Sequence, residues 1–166
     1  MQQVRLALVV GLMLASLEAL TDVVVRDPAV AQLNQLFEDA WDVTLDDNPG
    51  LRIPNMFDAA LDGDFRALYC QGEDFAQSDP NTQHVEAALS ALDCLIVQDI
   101  FLNETARFAH VFLPGATFLE KDGTFTNAER RISRVRKVIE PMSGKQDWEA
   151  TLALANALGC AWGYRH

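Results

Sequence analysis

The chain has 166 residues, of which 49% are apolar and 22% charged, values that fit one globular domain and exclude a disordered chain. Its formal net charge of −11 argues against general binding to nucleic acid or to an anionic membrane, because phosphate groups attract a broad basic face. The charge is uneven: residues 128–166 carry 7 Lys and Arg against 4 Asp and Glu, whereas residues 1–127 carry 6 against 20.

The N-terminus holds an apolar run from Leu6 to Leu17, preceded by Arg5. The run is too short to span a bilayer, which takes about 20 apolar residues, so the sequence predicts no membrane span. Its length suits the apolar part of a signal peptide over residues 1–20, and this is one interpretation. A buried helix or strand is the other, favoured by Glu18 directly after the run and by the lack of a small-x-small cleavage site.

The three cysteines, Cys70, Cys94 and Cys160, lie far apart and show no metal-type spacing. Cys70 and Cys94 lie inside apolar runs, which predicts buried thiols because cysteine prefers protein cores. Their spacing does not indicate a disulfide framework, so we expect a reducing, cytoplasmic location.

The first predicted helix begins with Asp27 as its cap and Pro28 at its first position. Apolar residues then recur at helical spacing and predict one inner face, formed by Val30, Leu33, Leu36, Phe37, Ala40 and Trp41. After the break at "TLDDNPG", Pro54 opens a second, short helix that runs to about Leu61.

Three short apolar runs predict buried strands, at residues 67–72, 94–98 and 110–114. Between the first two, Asp79-Pro80 starts a helix whose inner stripe is Val85, Ala88, Leu89 and Leu92. A short helix capped by Asn103 lies between the second and the third. This alternation predicts a three-layer, Rossmann-like α/β fold with a parallel sheet and helices on both of its faces.

Ligands of parallel α/β sheets bind outside the carboxyl ends of the strands. In this chain those ends are Gly72-Glu73-Asp74, Gln98-Asp99 and Pro114-Gly115, all of them polar or glycine-bearing. The sequence therefore predicts a binding site at this edge. No catalytic residue set or metal-ligating spacing accompanies it, and the histidines are scattered at positions 84, 110 and 166.

The chain changes character at "EKDGTFTNAERRISRVRK", residues 120–137. The alternating pattern from Arg131 to Pro141 predicts an extended ribbon rather than a helix. Asp147 then caps a last helix, which Gly159 ends.

Several of these polar residues suit a nucleotide. An ionised carboxylate accepts both N–H donors of the guanine edge, and Asp147 and Asp74 are candidates, although Asp147 as a plain helix cap is the alternative interpretation. Backbone N–H groups at glycine-bearing turns and a basic side chain bind diphosphate oxygens, for which Gly115 and Lys121 are candidates. From the residues alone, the prediction ends at an α/β domain with a polar ligand edge.

An ordered series of motifs runs through the chain: "GEDFAQSD", "VQDIFLNETA", "LP" and "EKDGTFTNAERR". In this order they resemble the molybdopterin oxidoreductases of the dimethyl-sulfoxide-reductase superfamily, and within it the catalytic alpha subunit of molybdenum- or tungsten-dependent formate dehydrogenase. The resemblance runs from about Asp27 to Gly159. Residues 1–26 do not resemble the family and are interpreted as an atypical N-terminal segment, which leaves 27–166 as the domain.

Members of that family are several times longer than this chain, and the resemblance covers their middle α/β domain. It implies binding of one of the two guanylyl-pterin halves of the cofactor. Two such molybdopterin guanine dinucleotides together hold the molybdenum or tungsten (bis-MGD). The iron–sulfur cluster and the metal-ligating cysteine or selenocysteine of the family belong to other parts. We therefore expect this chain alone to be inactive, with the remaining domains or subunits of a formate dehydrogenase complex as its partners.

The resemblance also implies which residues bind the cofactor. The loop after the first strand would contact one nucleotide half through Gly72, Glu73, Asp74 and Ser78. Gln98 and Asp99 would meet its ribose or phosphates.

Further along the chain, Gly115 would let the diphosphate approach the backbone, and Lys121 would supply positive charge. Asp147 would take the guanine edge. Arg130 and Arg131 match the family's motif, whereas the following basic residues are better interpreted as a solvated or interdomain ribbon, namely Arg134, Arg136 and Lys137.

Two functions are open on this basis. The first is the cofactor-binding domain of a formate dehydrogenase-like oxidoreductase, which in the full enzyme converts formate to CO2 by two-electron transfer. The alternative is a truncated or stand-alone nucleotide-binding module without redox activity.

Overall fold

The computed structural model describes residues 6–10, 28–45 and 50–164. Its helices are α1 (Pro28–Trp41), α2 (Ile53–Leu61), α3 (Phe75–Ser78), α4 (Thr82–Ala91) and α5 (Asp147–Ala157), with a 3₁₀ helix at Thr105–Phe108. Its strands are β1 (Leu6–Val10), β2 (Ala67–Gln71), β3 (Cys94–Asp99), β4 (Val111–Pro114), β5 (Gly123–Thr126) and β6 (Ile132–Val135).

The first four strands form one parallel sheet in the order β1-β2-β3-β4. Leu68 lies opposite Leu95, and Cys70 lies opposite Val97, so these apolar side chains share one face of the sheet. The predicted α/β fold with a parallel sheet is confirmed. The bounds of β2, β3 and β4 differ from the predicted strands by at most one residue.

β1 adds a strand that comes from the N-terminal apolar run. It pairs with β2 along its whole length, from Leu6 opposite Ala67 to Val10 opposite Gln71. A strand is one of the two forms that the buried-segment interpretation allowed, and residues 6–10 of the N-terminal segment therefore contribute to the sheet. The rest of the run, residues 11–17, lies outside the described residues.

The core lies between one face of the sheet and the helices α2 and α4. Leu68, Cys70, Leu95 and Val97 pack there against the helices, whose buried residues include Phe57, Val85, Ala88 and Leu89. Burial raises the pKa of the Cys70 thiol to about 12, which keeps it a neutral apolar group. The predicted burial is thus confirmed for Cys70, whereas Cys94 is half-buried.

The opposite face of the sheet is polar near the carboxyl ends of its strands and meets α5. Gln71 Nε2 lies 3.4 Å from Thr151 Oγ1, and Gln98 Nε2 lies 3.2 Å from Asp147 Oδ1. Helices therefore lie on both faces of the sheet, as predicted.

Two helices begin at a residue other than the predicted one. α4 begins at Thr82, not at Pro80, because the side chain of Asn81 caps it and accepts a hydrogen bond from His84 N at 3.4 Å. The predicted cap, Asp79, forms a turn in which its side chain accepts from Asn81 N. Gln146, not Asp147, caps α5, and its N–H donates to Glu149 Oε2 at 2.7 Å.

The cap predicted for the short helix is correct in part. Asn103 Oδ1 accepts from Ala106 N at 2.9 Å, but the helix is a 3₁₀ helix, and Asp74 accepts from the N–H groups of Glu104 and Thr105. The N-terminal end of this helix is thus held by a residue from a different loop.

Helix α1 forms over the predicted residues, but the prediction of an inner face is wrong. Leu33, Leu36 and Trp41 are 51%, 63% and 61% exposed, and the Phe37 and Trp41 rings pack on each other with centroids 4.7 Å apart. In the core cluster that the structure describes, the helical residues belong to elements after α1. These elements cover the apolar face of the sheet on which Leu68 and Leu95 lie.

The segment after Arg131 begins as an extended strand of a ribbon, as predicted. β5 and β6 pair in antiparallel fashion, with Gly123 opposite Val135 and Thr126 opposite Ile132. Beyond it, the N–H groups of Val138 and Ile139 donate to Leu119 O. Within the described parts of the chain, no helix combines the length and apolar character needed to cross a membrane.

Candidate functional site

Asp147 lies in the first turn of α5, above the carboxyl ends of the strands, and its carboxylate has three partners among the residues that the structure describes. Oδ1 accepts from Ala116 N at 2.8 Å and from Gln98 Nε2 at 3.2 Å, whereas Oδ2 accepts from the ammonium of Lys121. The side chain is 20% exposed. Asp147 therefore joins α5, β3 and the loop after β4 at one point.

Gln98 holds Asp147 from inside the protein. It is 1% exposed, and because a carboxylate only accepts hydrogen bonds, the amide nitrogen must face Asp147. Its Oε1 then accepts from Tyr69 OH and, at 3.0 Å, from Gln71 Nε2. Burial, together with the negative charge of Asp147, raises the pKa of Tyr69, so its hydroxyl stays a donor.

Lys121 pairs with the second carboxylate oxygen of Asp147. Its side chain is 25% exposed, and its ammonium lies 5.9 Å from the centroid of the Phe125 ring. This separation is within the range of a cation–π contact. Lys121 is thus held between a carboxylate and an aromatic face.

A cleft of about 630 Å³ opens beside this ion pair, between the β5–β6 hairpin and α5. Its aromatic walls are Phe125, Trp148, Trp162 and Tyr164, and its polar lining includes Gln71, Lys121, Asp147 and Thr151. The aromatic walls could not be predicted from the sequence, because these side chains come from three separate segments and no local pattern relates them.

The predicted residues after β2 bond mainly to one another and to the 3₁₀ helix. Asp74 Oδ1 accepts from Thr105 N at 2.9 Å and from Thr105 Oγ1 at 2.7 Å, and Ser78 Oγ donates to Glu73 Oε1 at 2.8 Å. Gly72 has a φ of +68°, a backbone conformation that favours glycine. A Cβ added at this position would meet no atom within 4 Å, so the backbone conformation and not the space accounts for the glycine. These contacts order the loop at the carboxyl end of β2.

Asp99 and Gly115 are likewise in contact with each other. Asp99 Oδ1 accepts from Ile100 N at 2.6 Å, and its Oδ2 accepts from Asn103 Nδ2 at 3.0 Å. Gly115 N donates to Asp99 O at 2.8 Å, and a Cβ at Gly115 would lie 3.0 Å from the Asp99 carbonyl carbon. Glycine at this position therefore allows the loop after β4 to pass against the end of β3.

The predicted site residues thus form two groups at the carboxyl edge of the sheet. The inner group consists of Lys121 and Asp147, which line the cleft, and of Gln98, which is buried and bonded to Asp147. The outer group consists of Gly72, Glu73, Asp74, Ser78, Asp99 and Gly115. Arg130 and Arg131 belong to neither group: they lie exposed at the turn between β5 and β6, where Arg130 has a φ of +62°.

Together the sheet, the polar edge and the cleft define an α/β domain with a candidate ligand-binding site. The family model of the molybdopterin oxidoreductases matches residues 7–157. The chain therefore belongs to the molybdopterin oxidoreductase family. The match begins at residue 7, so the expectation that the likeness starts near Asp27 is corrected, in agreement with the place of β1 in the sheet.

Curated relatives extend this finding. The chain is 45% identical over 136 residues to "Probable oxidoreductase YjgC" of Bacillus subtilis, covering 81% of this chain and 14% of that protein. It is 48% identical over 126 residues to the F420-dependent formate dehydrogenase subunit alpha of Methanocaldococcus jannaschii, covering 75% of this chain and 19% of that subunit. The chain thus spans less than a fifth of the length of either relative.

A solved structure shows the same fold. The acetylene hydratase from Pelobacter acetylenicus matches 64% of this chain and 15% of its own chain, with a TM-score of 0.57 and 23% sequence identity. At this identity the likeness concerns the fold alone.

Proposed function

We propose that this domain binds one guanine nucleotide half of the molybdopterin guanine dinucleotide in a formate dehydrogenase-like oxidoreductase. Membership of the family implies a molybdopterin cofactor, and relatives are named formate dehydrogenases. The observation that carries the proposal is the Lys121–Asp147 pair at the wall of the aromatic cleft, on the carboxyl edge of the parallel sheet.

The residues of the cleft fit such a nucleotide in their chemistry. A volume of about 630 Å³ lies within the usual range for small-molecule sites, and aromatic walls suit a planar base. Asp147 offers an acceptor to the N–H groups of guanine, and Lys121 offers a cation to the diphosphate. Since Oδ1 already has two donors, we propose that the base is received at Oδ2.

The roles proposed for the chain are binding and orientation. When bound, the cofactor's molybdenum or tungsten would supply the two-electron chemistry that converts formate to CO2. The residues of this domain would fix the position of the nucleotide and hold its base in the cleft. Relatives are named as alpha subunits, which supports further subunits as partners, and we assign any iron–sulfur cluster to parts other than this domain.

A nucleotide-binding module without redox activity is the second candidate, because the cleft and the Lys121–Asp147 pair are both formed within the described part of this chain. Formate-dependent reduction of a viologen dye, measured on a cofactor-loaded complex that contains this domain together with its partner domains or subunits, separates the two candidates, because this chain alone is expected to be inactive. The binding chemistry at Asp147 is the same in both.

Calorimetry with GDP and ADP tests the proposed binding site. GDP carries the guanine, ribose and diphosphate of the dinucleotide, and adenine presents an acceptor at N1 where guanine presents a donor. We expect the protein to prefer GDP, and Asp147→Asn to reduce this preference about tenfold, since a mismatched polar contact costs roughly 1–3 kcal/mol. Asp93→Asn is the control, because it removes the same charge at an exposed pair with Arg66, outside the cleft. Equal affinity for GDP and ADP would contradict the proposal.

A further inference from the structure

The carboxylate of Asp147 has only one oxygen that a ligand could use. Oδ1 accepts from Ala116 N and Gln98 Nε2, which fills its two lone pairs. Oδ2 accepts from the Lys121 ammonium, and both residues line the cleft. An N–H donor of a ligand is therefore received at the oxygen that already pairs with Lys121.

We propose that Lys121 is an internal occupant of the base-binding position, and that a nucleotide binds by exchanging partners with the Lys121–Asp147 pair. This inference rests on the proposed function. The donors of the base replace the ammonium at Asp147 Oδ2, and the released ammonium pairs with the diphosphate. The number of ion pairs is thus conserved, and no charge is left without a partner.

The position of Lys121 allows this exchange. Its side chain is 25% exposed, so the ammonium reaches solvent by rotation about its own flexible stem. Lys121 and Asp147 both line the cleft. Asp147 itself is fixed, because Gln98 is 1% exposed and holds it from the interior. The fixed partner is the carboxylate, and the mobile partner is the ammonium.

The exchange couples the two halves of the nucleotide. The two N–H donors of a guanine nucleoside need both lone pairs of Oδ2, so a nucleoside alone displaces Lys121 and leaves its charge without a partner. A diphosphate alone removes Lys121 and leaves Asp147 Oδ2 without one. Only a ligand that carries both groups satisfies both residues, so each half strengthens the binding of the other.

Calorimetry on the full 166-residue chain tests this coupling with guanosine, inorganic pyrophosphate and GDP. In the unsubstituted protein, saturating pyrophosphate should raise the affinity for guanosine about tenfold, because it draws Lys121 away from Asp147. Lys121→Met, which keeps the stem and removes the charge, should bind guanosine about tenfold more tightly and GDP about tenfold more weakly than the unsubstituted protein.

Lys137→Met is the matched control. The Lys137 ammonium pairs with Glu140 at 2.9 Å, and Lys137 does not line the cleft. This variant should leave all three affinities unchanged. Thermal unfolding of each variant confirms that it is folded, and the pyrophosphate experiment needs no variant at all.

The outcomes separate this inference from the proposed function. If GDP is preferred over ADP but pyrophosphate does not strengthen guanosine binding, and Lys121→Met weakens guanosine and GDP alike, then Lys121 is a fixed part of the site and the exchange is overturned. If the protein shows no preference for GDP, the proposed function and the exchange fail together.

Discussion

His110 completes the hydrogen bonding of β3 at the point where β4 has not yet begun. Its N–H donates to Leu95 O at 2.8 Å, and its ring Nδ1 accepts from Leu95 N at 3.0 Å. Leu95 is fully buried, so its N–H depends on this side chain. His110 is therefore a structural residue that pairs with both backbone polar groups of Leu95.

Replacement of His110 by phenylalanine should therefore destabilise the fold. The variant keeps an aromatic ring but removes the acceptor, and a buried N–H left without a partner costs about 1–3 kcal/mol. His110→Asn is the matched variant, since its Oδ1 lies near the position of Nδ1. Urea unfolding should show a larger loss for phenylalanine than for asparagine, and equal losses would show that the ring nitrogen has no such role.

Among the elements, the 3₁₀ helix depends on a residue outside itself. Asp74 accepts from Glu104 N at 3.3 Å and from both the N–H and the hydroxyl of Thr105. Thr105 is fully buried, and its Oγ1 in turn accepts from Ala76 N at 3.0 Å. One carboxylate thus joins the loop after β2 to the segment before β4.

Asp74→Ala should loosen this junction. We expect the free energy of unfolding to fall by about 1–3 kcal/mol, because buried donors lose their acceptor. Hydrogen exchange of the amides of residues 104 and 105 should accelerate more than exchange in β2 and β3. Ser78→Ala is the control, since Ser78 is exposed and its hydroxyl donates to Glu73, away from the 3₁₀ helix. Unchanged exchange at residues 104 and 105 would contradict a structural role for Asp74.

The elements also show what a sequence can predict. The strands β2 and β3 were predictable, because short apolar runs that end in polar or glycine residues have few other buried forms. The inner face of α1 was not, since the apolar spacing of Leu33, Leu36 and Trp41 predicts a helix but does not tell what covers it.

The site was predictable only in its parts. Asp147 and Lys121 were identified as candidates, but Gln98 was expected to touch the ligand, whereas it is buried and touches Asp147. These residues come from separate segments, and their contact depends on the register of the sheet and on the place of α5. Local patterns carry no information on either.

At the scale of the whole molecule, two effects of acidification oppose each other. The formal net charge is −11, and self-repulsion declines as the pH approaches the isoelectric point of about 4.5. Glu120 acts in the other direction. It is 4% exposed, and hydrogen bonds from Thr117 N and Met142 N hold its pKa below the ordinary value of 4.5.

Because the pKa of Glu120 is lower in the folded chain, its contribution to stability is complete above about pH 4.5 and is lost as the pH falls below this value. Glu120→Gln cannot titrate, so its free energy of unfolding should fall less steeply with decreasing pH in this range. Chemical unfolding between pH 6 and 3 measures the two slopes. Glu129→Gln, at an exposed position, is the control and should keep the original slope.

The order of the strands has a consequence for how this domain can diversify. The strand order β1-β2-β3-β4 steps in one direction, which with right-handed crossovers favours one face of the sheet, and α2, α4 and the 3₁₀ helix pack against that face. The other face meets the segments after β4, and it is there that the hairpin and α5 enclose the cleft. Insertions in the crossovers, such as at the turn after α2, would thicken the far side of the sheet and leave the cleft as it is. Changes in the length of the hairpin would reshape the cleft directly.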